Sequence, residues 1–264
     1  MAELYRFHHI ISGFSDKPKV LFLHGFMGRI DEWDAQNESF RPDYQCMFLD
    51  LPGHGATEVR HKAGYEFIKC AEGIAELIRQ KHFSPVSIVG YSLGGRIALY
   101  IALSWPDEVN HLVLESASPG IATKEDRLKR SQQDALLAEK LKVEWPEFVE
   151  NWYRQPLFKG IFESSQFSRM IERKKLNNPE KLACVLNKMG QGAQPPLWND
   201  LKNLQKPVLL LTGANDPKYM FITEKMTKKI PHCTRLVIPD CSHNIHLQNP
   251  GRFNAEVRNF LSRD

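Results

Sequence analysis

The stretch Ser87-Ile88-Val89-Gly90-Tyr91-Ser92-Leu93-Gly94-Gly95-Arg96-Ile97-Ala98 decides the fold. A short apolar run ends in Gly-x-Ser-x-Gly and leads directly into an apolar segment of helical character, which predicts a buried strand, a tight turn and a helix. The glycines permit a turn that lifts Ser92 Oγ out of the sheet, and the N-terminus of the following helix points at it. Alone, the motif also fits a glycine-rich strand-to-helix turn that happens to contain serine, so the rest of the chain must decide.

Outward from this turn, apolar runs recur at 20–23, 46–49, 86–89, 112–114 and 208–211, each followed by turn residues, as fully buried strands are. Helical patterns lie between them. One runs over 65–81, with Phe67, Ile68, Ala71, Ile74, Ala75 and Ile78 in register, and another over 93–103. Strands alternating with helices predict an α/β fold with a mostly parallel central sheet flanked by helices. Between about 118 and 205 the alternation lapses, and helix-like segments follow one another without a strand-like run. The pattern resumes at Pro207, so the expected organisation is a core of 1–117 and 206–264 interrupted by a helical insertion over 118–205, with Gly190-Gln191-Gly192 and Pro195-Pro196 marking its exit.

Composition narrows the function classes. A chain of 264 residues fits one large core, and 42% hydrophobic with 25% charged residues excludes disordered and coiled-coil classes. The 35 basic and 31 acidic residues leave a formal charge of +4, with no basic run longer than Arg173-Lys174-Lys175, which argues against nucleic acid. The five cysteines are odd in number and lack C-x-x-C spacing, which predicts a reducing, cytoplasmic setting. No leader-like h-region and no stretch approaching the roughly 18 apolar residues of a membrane span is present in the sequence, so membrane insertion is not expected.

Serine is a weak nucleophile or base until a histidine takes its proton and a carboxylate orients that histidine. Both partners follow in order. Asp216 lies in Leu211-Thr212-Gly213-Ala214-Asn215-Asp216-Pro217 after one strand-like run, and His243 lies in Pro239-Asp240-Cys241-Ser242-His243-Asn244 after another over 234–238. Among competing acids, position 215 is the uncharged Asn215, and Asp240 is too close in sequence to His243 to orient it from the sheet. Leu23-His24-Gly25-Phe26-Met27-Gly28 follows the first buried run and supplies a backbone donor for a developing oxyanion; Phe26 and Leu93 are the candidates for that pair. With Asp50-Leu51-Pro52-Gly53-His54-Gly55 at another strand end, the chain resembles the α/β-hydrolase superfamily, with 118–205 as its helical cap.

Arg96 lies four residues after Ser92 on the same face of an apolar helix. An unpaired buried charge there costs about 3–5 kcal/mol. Either an internal carboxylate or an anionic ligand must meet it, and arginine suits carboxylates because its fork binds them bidentately.

Within the superfamily the sequence resembles the 2-succinyl-6-hydroxy-2,4-cyclohexadiene-1-carboxylate synthases of menaquinone and phylloquinone biosynthesis. The matching stretches are 23–28, Gly90-Tyr91-Ser92-Leu93-Gly94-Gly95-Arg96, Leu114-Glu115-Ser116-Ala117-Ser118-Pro119-Gly120 with Arg127 following, Asn151-Trp152-Tyr153-Arg154-Gln155-Pro156-Leu157-Phe158, Gln194-Pro195 and His243-Asn244. The insertion segments are the more specific, because many hydrolases share the rest. The resemblance implies a lyase that eliminates pyruvate from a small substrate carrying several carboxylates, with Ser92, His243 and Asp216 supplying the general base and no cofactor. It implies substrate contacts at Tyr91, Arg96, Arg127 and Trp152. The family places a further arginine before a polar Asn-Asn turn. Lys174 falls nearest that place, with Arg173 and Arg169 close by, and these three also fit a solvated helix face. His243-x-x-His246 has a metal-like spacing but no third ligand near it, so no metal is expected. No nucleotide fingerprint is present. A serine esterase or C–C bond hydrolase on the same fold is the alternative activity. A non-catalytic receptor is the alternative class, and the complete Ser92, Asp216 and His243 set argues against it.

Overall fold

The computed structural model describes residues 4–164 and 167–263. Its strands are β1 (Tyr5–Arg6), β2 (His9–Ser12), β3 (Lys19–Leu23), β4 (Gln45–Leu49), β5 (Glu58–Val59), β6 (Val86–Tyr91), β7 (Val109–Glu115), β8 (Val208–Gly213) and β9 (Cys233–Ile238). β1 and β5 form a small separate pair, and the other seven make one sheet in the order β2-β4-β3-β6-β7-β8-β9. Only β2 runs antiparallel in that sheet, pairing with β4 at its edge. This edge strand escapes the sequence pattern because Ile10 and Ile11 are both exposed, so no buried face repeats along it. The helix expected over 65–81 begins at Phe67 and ends at Gln80, because Glu66 adopts an extended backbone after a 3-10 turn over Lys62–Tyr65.

Side chains alternate across the pleat, and both faces of the sheet are covered. On one face Leu21, Leu23, Ile88, Leu112, Leu114 and Leu210 pack under the helices Phe67–Gln80 and Leu93–Ser104. On the other, Val20, Phe22, Val89, Val113, Leu209 and Leu211 meet Phe40 of Asp34–Phe40 and Phe253, Val257 and Phe260 of Pro250–Leu261. Each fully buried aliphatic side chain contributes about 1.5–3 kcal/mol over an exposed one, which makes the sheet the rigid base of the molecule.

Strand order reverses at β3, which has β4 on one side and β6 on the other. The crevice beyond the carboxyl ends of strands at such a switch point is where open α/β sheets bind ligands. Two of the motifs, the turn after β3 and the turn after β6, flank it.

Between β7 and β8 the described residues form helices and no strand: Lys124–Val143, Glu147–Tyr153, Phe167–Lys175 and Pro179–Met189. Thr123 and Asn178 cap two of them by accepting from the N–H groups of Asp126 and Lys181. Their apolar faces share a core of Ala138, Leu141, Phe148, Val149, Tyr153, Leu182 and Leu186, which closes over Met27 of the turn after β3.

Candidate active site

Ser92 has φ +49° and ψ −104°, a backbone region that side chains rarely adopt. Close packing imposes this geometry. A Cβ on Gly94 would strike the carbonyl of Leu23, and one on Gly90 would meet Gly95 Cα at 2.6 Å. Ser92 N–H donates to Glu115 O (2.9 Å) and Gly94 N–H to His24 O (3.1 Å), so the turn is stitched to both neighbouring strands.

The turn delivers Ser92 Oγ to within 3.1 Å of His243 Nε2, and His243 Nδ1 lies 2.8 Å from Asp216 Oδ2. A carboxylate only accepts, so Nδ1 carries the proton and leaves Nε2 free to receive one from Ser92. Asp216 Oδ1 accepts from Tyr219 N–H (3.2 Å) as the N-cap of helix Pro217–Thr227, which fixes the carboxylate. The His243 ring is enclosed by Tyr219 (4.7 Å between centroids), Tyr91 (5.4 Å) and Phe158 (5.7 Å). The insertion also grips its loop directly: His243 N–H donates to Leu157 O (3.3 Å) and Ser242 Oγ to Lys159 O (2.7 Å).

The turn after β3 is held by two buried histidines. His24 Nε2 accepts from Leu51 N–H (3.0 Å) and His54 Nε2 from Met27 N–H (3.1 Å). Burial lowers the pKa of both, and of His54 strongly, in keeping with neutral rings that accept. Met27 N–H is engaged by His54 and Gly28 N–H by Gly25 O (3.0 Å), whereas no acceptor meets the N–H of Phe26 or Leu93 among the described residues. Both residues line a cavity of about 70 Å³ with Ser92, Arg96, Arg130, Trp152 and Gln191.

Arg96 is 6% exposed and has no carboxylate within ion-pair distance among the described residues. Its guanidinium donates to two neutral acceptors, Gln194 Oε1 (3.2 Å) and Met189 O (3.0 Å). Burial pulls its pKa down to about 10, against a raising influence of Tyr219. It remains a cation at neutral pH, desolvated and four residues from Ser92, with the carboxylate of Asp134 in the same cavity wall but not at ion-pair distance.

A model of the alpha/beta hydrolase fold matches residues 18–250. The chain is 32% identical to the 2-succinyl-6-hydroxy-2,4-cyclohexadiene-1-carboxylate synthase of Pectobacterium atrosepticum, over 93% of this chain and 94% of that one. It is 31% identical to the synthase of the same name from Serratia proteamaculans, over 94% and 95%. The chain belongs to this synthase family of the α/β-hydrolase fold. A solved structure of MenH from S. aureus superposes with a TM-score of 0.90 at 29% identity, covering 98% of this chain and 97% of that one.

Against that family pattern, the structure brings Ser92, Leu93, Phe26, Arg96 and Trp152 to one cavity, and His243 and Asp216 to Ser92. Trp152 stacks on Phe148 (5.8 Å) and meets Phe26 edge-on (5.5 Å). Tyr91 is buried beneath Gly25 and against His243 and is not among the lining residues. Arg127 lies away from the cavity, its Nη1 donating to Ile121 O and Ala122 O at the start of its helix. Arg130 takes that place: its Nε pairs with Asp134 Oδ1 (2.8 Å) and its Nη1 reaches Gln191 Oε1 (2.8 Å). Lys174 also lies outside the cavity and is 4% exposed, so the solvated-face reading does not hold for it. Its Nζ is paired with Glu32 Oε2 at 2.7 Å.

Sequence reading passed over Arg130 and Tyr219, and named Gln191 and Gln194 only within the exit turn and a matching stretch, without a role at the site. Gln191 Nε2 donates to Tyr219 Oη (3.0 Å), linking the insertion to the residue whose backbone N–H Asp216 accepts. The available signal for Arg130 was its i,i+4 spacing to Asp134, which orients both toward one helix face. His243 and His246 each hold protein partners on both ring nitrogens. No group of three or more His, Cys, Asp or Glu side chains among the described residues is arranged to hold a metal ion, and no described helix is long and apolar enough to cross a membrane.

Proposed function

We propose that the chain eliminates pyruvate from 2-succinyl-5-enolpyruvyl-6-hydroxy-3-cyclohexene-1-carboxylate, giving 2-succinyl-6-hydroxy-2,4-cyclohexadiene-1-carboxylate. The proton on ring carbon 2 is acidified by the succinyl ketone beside it. Ser92 Oγ, its own proton drawn to His243 Nε2, takes that proton as His243 becomes an imidazolium held by Asp216. The double bond between carbons 3 and 4 relays the electron pair: bonds form between carbons 2 and 3 and between 4 and 5, and the carbon–oxygen bond at carbon 5 breaks. The leaving oxygen departs as the enolate of pyruvate, which ketonises on receiving a proton. No water is consumed. Charge develops on the succinyl carbonyl oxygen, where the N–H groups of Phe26 and Leu93 stabilise it, each worth about 3–4 kcal/mol in a comparable hydrolase.

The observation that carries this reading is the buried Arg96, met by no carboxylate at ion-pair distance among the described residues and opening on the same cavity as Ser92. A substrate with three carboxylates supplies its counter-charge, and Arg130, already paired with Asp134, lines the same wall with further N–H donors. Trp152 and Phe26 provide an apolar surface for the ring.

The test is pyruvate release from freshly prepared substrate, followed through lactate dehydrogenase, with nitrophenyl acetate in parallel and Ser92→Ala as control. Ser92-dependent pyruvate release with little ester cleavage supports the lyase. Ester cleavage without pyruvate release moves the chain to the hydrolases of this fold.

A further inference from the structure

One buried charged cluster beside the site has no part in the chemistry above. Glu115 closes β7 with its side chain fully buried, and His246, three residues beyond His243, is 1% exposed. His246 Nδ1 lies 2.7 Å from Glu115 Oε2 and 2.9 Å from Oε1, and its backbone N–H donates to Oε1 at 3.0 Å. On the far side of the ring, Nε2 lies 3.4 Å from Glu32 Oε1. Carboxylates accept only, so an imidazole with one on each nitrogen carries both protons. Glu32 Oε2 accepts from Lys174 Nζ. The four groups then sum to zero charge, as a cluster removed from water requires. Burial alone lowers the His246 pKa, but the charge and hydrogen bonds of Glu115, with Glu32 behind them, carry it up to about 9.

The cluster touches the Ser92 turn, the His243 loop and the insertion. The backbone carbonyl of Glu115 receives the N–H of Ser92. The His246 ring packs 4.8 Å from that of Tyr91, the residue before Ser92, and 4.4 Å from Trp33. Gln36 Nε2 holds the His246 carbonyl (3.2 Å), and Lys174 joins the cluster from the insertion helix Phe167–Lys175. The charge of Glu32 also acts on buried His24, and Phe253 covers the His246 ring from helix Pro250–Leu261.

We infer that His246 is a positioning residue: an imidazolium clamped between Glu115 and Glu32 that locks the His243 loop to the Ser92 turn and keeps the two in hydrogen-bond reach. It lies three positions beyond His243, so a shift of its ring moves the base. This rests on the reading of Ser92 and His243 as the base, and the experiment keeps the two apart.

Histidine-selective nitrogen-15 NMR of the intact protein reads the ring protons without substrate. Two protonated nitrogens on His246 at pH 7, persisting to about pH 9, support the inference; a singly protonated ring at pH 7 overturns it. In folded His246→Gln, kcat for pyruvate release is expected to fall about 100-fold, the loss a 1 Å misplacement can cause, with KM within about threefold. The His243 Nδ1–H resonance should shift or broaden with it. A folded variant with kcat within about threefold of the parent and an unmoved His243 signal overturns the role. Should His246→Gln fail to fold, Glu32→Gln decides: the alkaline fall of kcat and the His246 titration should both move down by about one pH unit, and an unmoved fall overturns the inference. If the parent protein releases no pyruvate, the proposed function fails, and the His243 and His246 signals alone judge the positioning.

Discussion

Ser92 Oγ and His243 Nε2 meet at 3.1 Å across 151 residues of sequence, with the proton on the far nitrogen of the ring bound to Asp216. Ser92→Ala and His243→Ala each remove one end of that contact without altering the backbone beneath it. Pyruvate release should fall by about 100- to 10,000-fold in either, the range for a positioned acid–base group, with an unchanged circular dichroism spectrum. Asp216→Asn leaves the shape and favours the wrong tautomer, so a loss of similar order is expected. Near-parental turnover in Ser92→Ala would remove serine from the chemistry.

Arg96 separates anion binding from scaffolding. Its two acceptors are a carbonyl and an amide, which leave the charge uncompensated. Arg96→Met keeps much of the packing and removes a charge-assisted contact worth about 1.5–3 kcal/mol. The expected result is a loss in kcat/KM of about 10- to 150-fold with little change in melting temperature. Unaltered kinetics in a less stable protein would make Arg96 a strut between the elbow helix and Met189.

The fold was legible because its determinants are local. A strand buried on both faces is a run such as Val208-Leu209-Leu210-Leu211, and a turn that forbids every Cβ must be written in glycine, as at Gly90, Gly94 and Gly95. Ser92, Asp216 and His243 were legible for the same reason, since each follows a strand that announces itself. The insertion was legible as a run of helices, but the side chains it turns toward the cavity were not. Arg127 and Arg130 sit three residues apart on one helix, and only the packing of Lys124–Val143 against Pro179–Met189 decides which of them faces the cavity. The partnership of Glu115 with His246 was hidden because it joins strand end to loop across 131 residues, although a carboxylate ending an apolar strand is itself a sign that a buried cation is waiting.

That choice between the two arginines is measurable. Arg130 borders the cavity through Asp134 and Gln191, whereas Arg127 closes on the carbonyls of its own helix start. Arg130→Ala should therefore lower kcat/KM by at least about tenfold and by more than Arg127→Ala does. The reverse ranking in the same pyruvate assay would return the substrate contact to Arg127.

Gly94→Ala tests the elbow by steric means. The added methyl meets the carbonyl of Leu23, part of the strand core, and cannot be relieved by a side-chain rotation. Overpacking of this kind costs about 1–3 kcal/mol. Urea unfolding should show that loss together with a lowered kcat, because the displaced helix carries Ser92 with it. A variant with parental stability and rate would show that the turn tolerates a side chain after all.

The charged cluster gives stability a defined pH dependence. His246 has a folded pKa of about 9 against 6.5 for the free side chain, so its contribution is fully present below pH 6.5 and is lost as pH rises through 9. The shift corresponds to about 3 kcal/mol. Glu32 has the opposite sign: Lys174 and His246 outweigh burial and hold it well below the usual carboxylate range, so its contribution is present above pH 4.5 and disappears in acid. The cluster is therefore at full strength between about pH 4.5 and 6.5 and weakens progressively above that. Urea unfolding of the parent protein and of His246→Gln at pH 6, 7.5 and 9.5 should give a stability difference that shrinks by about 3 kcal/mol across the series. A difference independent of pH would mean that His246 is buried neutral, and that Glu115 or Glu32 holds a proton in its place.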